Sequence, residues 1–283
     1  MQYVADENAI RALVYTAIES YAAGFERRHL AEVSDPDGTL NMKIHNVFIA
    51  VLGPEIQYYT ALVRSLDSSL GNMLEALAIN IAKLFFDVRK HVEGPISPQQ
   101  TNGIAELLEA YKRHAKKPSI SDYDFLRAPI QENQFTKRHD SDYYLINRQT
   151  GEHFLIELKI GGDLDTKKAR SEKEAILEQF AILSNSLPPK SPIHAYFATA
   201  YNRFGEDQPW TQGRVRQFFA EEELLIGKKF WDFVCQSPVG YETVLDAYKE
   251  RAPLITSALA QIKTTYLGNG DSRPPDTNTP TAA

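Results

Sequence analysis

The stretch His153-Phe154-Leu155-Ile156-Glu157-Leu158-Lys159-Ile160 constrains this chain more than any other. It is apolar enough to be a buried strand, yet it carries an acid and a base two residues apart. Side chains alternate between the faces of a strand, so Glu157 and Lys159 share one face. Phe154, Ile156, Leu158 and Ile160 take the other and pack against a helix. A second apolar run, Asp142 to Asn147, precedes it, separated by Arg148-Gln149-Thr150-Gly151. A four-residue loop ending in glycine suits a hairpin. If Asn147 pairs with Glu152 across that loop, Asp142 falls opposite Glu157. Directly opposed residues point to the same face with Cβ atoms roughly 5 Å apart. This register gathers Asp142, Glu157 and Lys159 at one spot.

Two adjacent carboxylates repel and destabilise a sheet. A divalent cation between them removes that cost. Oxygen ligands suit Mg²⁺, which keeps waters and often takes a phosphate oxygen. Lys159 beside them is placed to orient or help deprotonate an attacking water and to stabilise charge on a phosphate. The chemistry implied is metal-assisted hydrolysis of a phosphodiester. The competing reading is a solvated sheet face, because an acid-x-lysine triplet is cheap: Asp165-Thr166-Lys167 is another, in no evident strand. The conjunction of apolar strand, hairpin, opposed acid and the following Gly161-Gly162 favours a site.

Composition narrows the class. At 283 residues, 43% hydrophobic and 24% charged, the chain reads as an ordinary globular protein. The lone Cys235 excludes an internal disulfide framework and a cysteine zinc cluster, and fits a reducing cytoplasm. Met1 to Asp6 lacks a signal-peptide pattern. No apolar run approaches the roughly 20 residues of a membrane span. The net charge of -6 argues against a protein whose whole surface grips polyanions, but leaves room for one basic cleft. Neither a phosphate-binding glycine loop, an HExxH motif nor a Gly-x-Ser-x-Gly elbow occurs.

The organisation expected is helical up to about Ala115, then mixed. Apolar spacing predicts helices over Asn8–Leu30, Pro54–Val92 (one broken or two) and Ile104–His114, with a loop at Gly94–Gln100. The hairpin follows, then a helix over Ser171–Ser184 with Ser171 and Glu174 as a capping box. A strand at Ile193–Thr199, a short strand near Glu223–Ile226, and helices over Lys228–Val234 and Tyr241–Tyr266 complete the pattern. Gly268–Ala283, rich in Gly, Pro, Thr, Asn and Asp, reads as a disordered tail. The fold class is α/β (α+β): a central mixed β-sheet flanked by helices, with a largely helical N-terminal region. The divisions are 1–115, a helical region; 116–267, the catalytic and recognition core; and 268–283, the tail.

At Asp142 and Glu157-Leu158-Lys159 the sequence resembles the PD-(D/E)xK nuclease superfamily, whose restriction-endonuclease-like core matches this fold class. The proline is absent; Ser141 precedes the acid, and Asp140 stands as the alternative first acid. The stretches ELKIGGDLDTKKARSEKEAILEQ, HAYFATAYNRFGEDQPWTQG and ELLIGKKFWDFV resemble the TdeIII-type restriction endonucleases. The resemblance implies a type II restriction enzyme cutting a short palindromic duplex site with Mg²⁺; some members of that group recognise GGNCC. It also implies double-stranded DNA as substrate, a homodimer and a cognate methyltransferase in the same system. Superfamily members often add an acid from an early helix. Glu75 fits that role, and is equally readable as an exposed residue of a polar face. Gln179 is readable as support for the site or as a surface residue.

For DNA contact, Lys167, Lys168, Arg170 and Lys173 follow the active strand and suit phosphates. Asn202, Arg203, Gln212, Arg214 and Arg216 suit base edges, arginine for guanine and Asn or Gln for adenine. Arg214 and Arg216 share a face only if their segment is extended. Trp210 is a wedge or a core residue. Two other functions remain open at this level: a repair or recombination nuclease of the same superfamily, and a non-catalytic binding protein.

Overall fold

In the computed structural model of the chain, the described residues are 6–33, 35, 37–38, 46–128 and 134–268. They form helices α1 (Glu7–Glu32), α2 (Val47–Ala50), α3 (Pro54–Ala82) and α4 (Pro98–Lys112), with strand β1 (Phe86–Ile96) before α4. A 3₁₀ helix (Ile120–Arg127), β2 (Phe135–Asn147), β3 (His153–Leu158), α5 (Thr166–Ser186) and β4 (Ile193–Thr199) follow. The chain then runs through α6 (Gly213–Arg216), a 3₁₀ turn (Glu221–Glu223), β5 (Leu224–Ile226), α7 (Lys228–Val234) and α8 (Gly240–Gly268). The tail expected after 268 lies outside the described residues. The chain divides into two compact units, Met1–Ile10 with Leu74–Val244, and Arg11–Met73 with Leu245–Ala283.

The first unit holds a five-stranded mixed sheet in the order β1-β2-β3-β4-β5. The pairs β1–β2 and β2–β3 are antiparallel, while β3–β4 and β4–β5 are parallel. The parallel pair β3–β4 needs a crossover, and α5 supplies it. Both sheet faces are covered, which is why β3 is nearly all apolar. On one face Tyr144, Leu155, Ala195 and Phe197 join Ile176, Leu177 and Phe180 of α5 in the main core. On the other, Phe86, Phe154 and Tyr196 surround Phe233 at ring-centroid distances of 5.6, 5.1 and 5.9 Å. The second unit packs Phe25, Tyr58, Ala61, Leu62, Ile262 and Tyr266 into its own core.

The expected mixed sheet and helical N-terminal region are present. Three local expectations are corrected. Residues Phe86–Ile96 form a strand, not the end of a helix. Val88, Val92 and Ile96 recur every fourth residue, a spacing that satisfies both the helical and the strand period. Gly94–Gln100 is not a loop: the strand runs to Ile96 and Ser97 caps α4 in a capping box with Gln100. Helix α5 begins five residues before Ser171, because the Asp165 carboxylate accepts the Lys168 N–H at 2.8 Å. Asp165 is therefore a helix cap, which accounts for the second acid-x-lysine triplet.

Candidate active site

The hairpin register is the one expected. Tyr143 pairs with Ile156, Tyr144 with Leu155, Leu145 with Phe154 and Ile146 with His153, and the Asn147 N–H bonds Glu152 O at 2.9 Å. The next step along it is the Asp142–Glu157 level. There the ladder gives way to a side chain: Asp142 Oδ2 accepts the Leu158 N–H at 3.3 Å. The β1–β2 pairing shifts at the same level. Arg89 faces Tyr144 but His91 faces Asp140, so β2 carries two extra residues around Asp142. Such a bulge re-aims side chains and commonly borders active sites. Asp142 is turned toward the triplet; Asp140 is exposed.

Beyond Leu158 the chain stays tied to β4. Lys159 N–H bonds Ala198 O at 3.0 Å, and Ala200 N–H bonds Ile160 O at 3.1 Å. The Lys159 ammonium lies 2.5 Å from Glu157 Oε1, 3.4 Å from Glu172 Oε1 and 3.8 Å from Asp142 Oδ2. Gly162 closes the turn with φ +64°, and a Cβ there would sit 2.6 Å from Thr199 Cγ2 and 3.2 Å from the Trp210 ring. No other residue fits.

Electrostatics mark this spot. Burial, then the Asp142 charge, pushes the Glu157 carboxyl up to about 8, against the opposing pull of Lys159. Burial alone would lower Lys159, but Glu157, Asp142 and Glu172 together raise it and hold it charged. Glu75 is raised by burial and then by Asp142, with Lys159 opposing, so its carboxyl belongs to the same field. Its backbone carbonyl accepts the Tyr143 hydroxyl at 2.8 Å. Three carboxyl groups thus lie within 4 Å of one ammonium, and Glu75 shares their field.

Glu172 is a site residue that the sequence analysis did not single out. Its signal was an acid on the apolar stripe Ala169–Ile176–Leu183 of α5, all buried. Gln179 lies on the same stripe and is 1% exposed, with its Oε1 unpaired; it is not a surface residue.

The DNA-contact residues divide. Lys167, Lys168 and Arg214 are exposed, with Lys168 and Arg214 both beside the Asp165 carboxylate. Arg203 and Gln212 meet at Asp163, at 2.8 and 3.2 Å. These five gather around the loop that leaves Lys159. Arg170 is half-buried near Glu109. Two expectations are corrected. Lys173 is fully buried and ion-paired to Glu223 at 2.6 Å, so it cannot reach a phosphate. Asn202 is buried and spends its side chain on Gln208 O (2.7 Å) and the Phe204 N–H (3.0 Å), shaping its own loop. Arg216 is exposed and bonds Trp210 O at 2.9 Å and Glu221 at 2.8 Å. It sits with Arg214 on the short helix α6, so the shared face of an extended segment is lost. Trp210 is core, packed on Phe197.

A mixed sheet carrying this acidic hairpin is consistent with the PD-(D/E)xK superfamily, and comparison with known proteins identifies the class: a site-specific deoxyribonuclease of the type II restriction kind. The chain belongs to the family described as type II restriction endonuclease, HinfI, whose family model matches residues 7–252. It is similar to the type II restriction enzyme HgiCII of Herpetosiphon aurantiacus, 22% identical over 271 residues that cover 86% of this chain and 92% of that protein. No solved structure matches it. Family membership sets aside the non-catalytic reading. Among the described residues no helix is long and apolar enough to cross a membrane.

Proposed function

We propose that Asp142, Glu157 and Lys159 are the catalytic set of an Mg²⁺-dependent enzyme that cuts both strands of a short palindromic DNA site, of GGNCC type. Type II restriction endonucleases are in general metal-dependent, and the donor set fits Mg²⁺. Among the described residues no three His, Cys, Asp or Glu side chains stand at metal-holding spacing. Asp142 and Glu157 are the two carboxylates that would hold the cation, leaving the remaining positions to water and phosphate oxygens, the usual arrangement for Mg²⁺. Bound there, the cation supplies Lewis-acid charge and lowers the pKa of water.

The chain's own groups do the rest. Lys159, held charged by three carboxylates, donates hydrogen bonds to an attacking water and to the phosphate; it orients more readily than it deprotonates. Glu75 adds negative charge on the Asp142 side. Lys167, Lys168, Arg203, Gln212 and Arg214, with Arg170 behind them, hold the duplex, the first two through phosphates and the others close enough to read bases. A palindrome calls for a two-fold homodimer. The enzyme works in the cytoplasm beside a methyltransferase that protects the same site, with no stable complex between them.

The observation that carries this reading is the convergence of Asp142, Glu157 and Lys159 within hydrogen-bond or ion-pair distance. Digestion of a long defined DNA with Mg²⁺ and with EDTA, followed by sequencing of the ends, tests it. Discrete fragments with one palindromic end sequence, absent in EDTA, are expected; equal cutting in EDTA overturns it.

A further inference from the structure

The first half of α3 is apolar on two sides. Tyr58, Ala61 and Leu62 point into the core of the second unit, 1%, 1% and 6% exposed. Ile56, Tyr59 and Val63, spaced three and four apart, form a separate stripe left 43%, 37% and 59% exposed. Phe48, Val51 and Leu52, in and just after α2 and directly before α3 in the chain, are 82%, 81% and 62% exposed. A helix apolar on both sides is normally buried on both.

We propose that this face, Phe48 to Val63, is where two copies of the chain pair. Side chains of this size at these exposures present on the order of 600 Å² of apolar surface, at the upper limit of what a monomer leaves open. That approaches the roughly 800 Å² per partner that a standard interface buries. Charge points the same way. From Val47 to Val63 the only ionic residue is Glu55, and Lys263, 5.5 Å from the Tyr59 ring, offsets its charge, so the face is close to neutral and lacks the cluster of cations a polyphosphate needs. It matches an equally neutral, apolar surface, and homodimer interfaces are the more apolar kind. A second copy supplies that surface by symmetry, since the same patch meets itself across a two-fold axis. The choice of occupant rests on the function proposed above: the described residues form one catalytic set, and cutting two antiparallel strands requires two.

The test is sedimentation of the full-length protein beside Phe48→Glu and Val63→Glu, made separately. Both positions are largely exposed, so neither change opens the core, and circular dichroism confirms folding. The expected result is a micromolar-or-tighter wild-type dimer whose dissociation constant rises at least 100-fold in each variant. On supercoiled plasmid each variant gives nicked circles where the wild type gives linear DNA. A wild type monomeric at 100 μM, or variants that dimerise unchanged, overturns the proposal. So does a monomer that floats with phosphatidylcholine–phosphatidylglycerol vesicles, which assigns the face to lipid. Variants that dissociate while the wild type cuts no DNA support the surface and remove the function reading; Mg²⁺-dependent cutting by variants that still dimerise does the reverse.

Discussion

Asp142 receives the backbone N–H of Leu158 on its Oδ2 at 3.3 Å, which locks the acid of one strand against the triplet of the next. Asp140 has no comparable tie and is exposed. Asp142→Asn should therefore abolish Mg²⁺-dependent cleavage, by about 10³-fold or more in kcat, while Asp140→Asn stays within a few-fold of wild type. Single-turnover cleavage of one plasmid site, with folding checked by melting, separates the two. Equal losses in both variants would show that the bulge does not select the acid.

Glu172 is the third carboxylate on Lys159, at 3.4 Å. It is placed to position the ammonium, not to bear the cation. Glu172→Gln keeps the shape and removes the charge, so kcat should fall about 10- to 100-fold, as for other groups that orient a site from behind. DNA affinity measured without turnover, and KM, should hold. Loss of Mg²⁺ affinity equal to that of Glu157→Gln would instead make Glu172 a ligand.

How much of this was legible in the chain depends on which physical signal each residue carried. The hairpin register was readable because loop length fixes pairing, and pairing placed Asp142 against Glu157. The strands β3 and β4 and helix α7 were readable as short apolar or aromatic runs with clear stops. Phe86–Ile96 was not, since its fourfold spacing serves two periods. The start of α5 was not, because Asp165 and Ser171 both make good caps and only tertiary packing chooses between them. Lys173 and Asn202 looked like DNA contacts by chemistry alone. Nothing local revealed that Glu223, fifty residues away, and the loop at Gln208 had already taken them.

Glu157 also predicts a pH-dependent response to metal. Without a cation its carboxyl is raised from the ordinary 4.5 to about 8, chiefly by burial. A carboxyl raised on folding contributes stability that is full below its unfolded value and is lost as pH rises through its folded one. The metal-free protein should thus lose stability between about pH 4.5 and 8, because the unfolded carboxyl ionises there while the buried one keeps its proton, and above about 8 the folded state carries the buried charge. Mg²⁺ competes with that proton and compensates the charge. Its stabilisation, read as the Tm shift on adding 10 mM Mg²⁺ in calorimetry, should be larger at pH 8.5 than at pH 6. Glu157→Gln should flatten the difference. A shift that is the same at both pH values would detach Glu157 from the cation.

Lys173 separates a structural from a DNA-binding role. Its ammonium is fully buried and bonded to both Glu223 oxygens, at 2.6 and 2.7 Å, and to the Tyr123 hydroxyl, while Glu223 also accepts the Ala220 N–H at 2.7 Å. Burial lowers the Lys173 pKa and Glu223 opposes it, so the pair stands or falls together. Lys173→Met strands a buried carboxylate, which costs about 3–5 kcal/mol. The double change Lys173→Met with Glu223→Leu should recover much of that, because an apolar pair of similar volume avoids the desolvation of both ions. Urea melts of the single and double variants check the coupling. A phosphate contact would behave in the opposite way: stability would hold, and the slope of log affinity against log salt would drop by about one charge. That second behaviour is expected of Lys168→Ala, whose side chain is exposed at the mouth of the loop leaving Lys159.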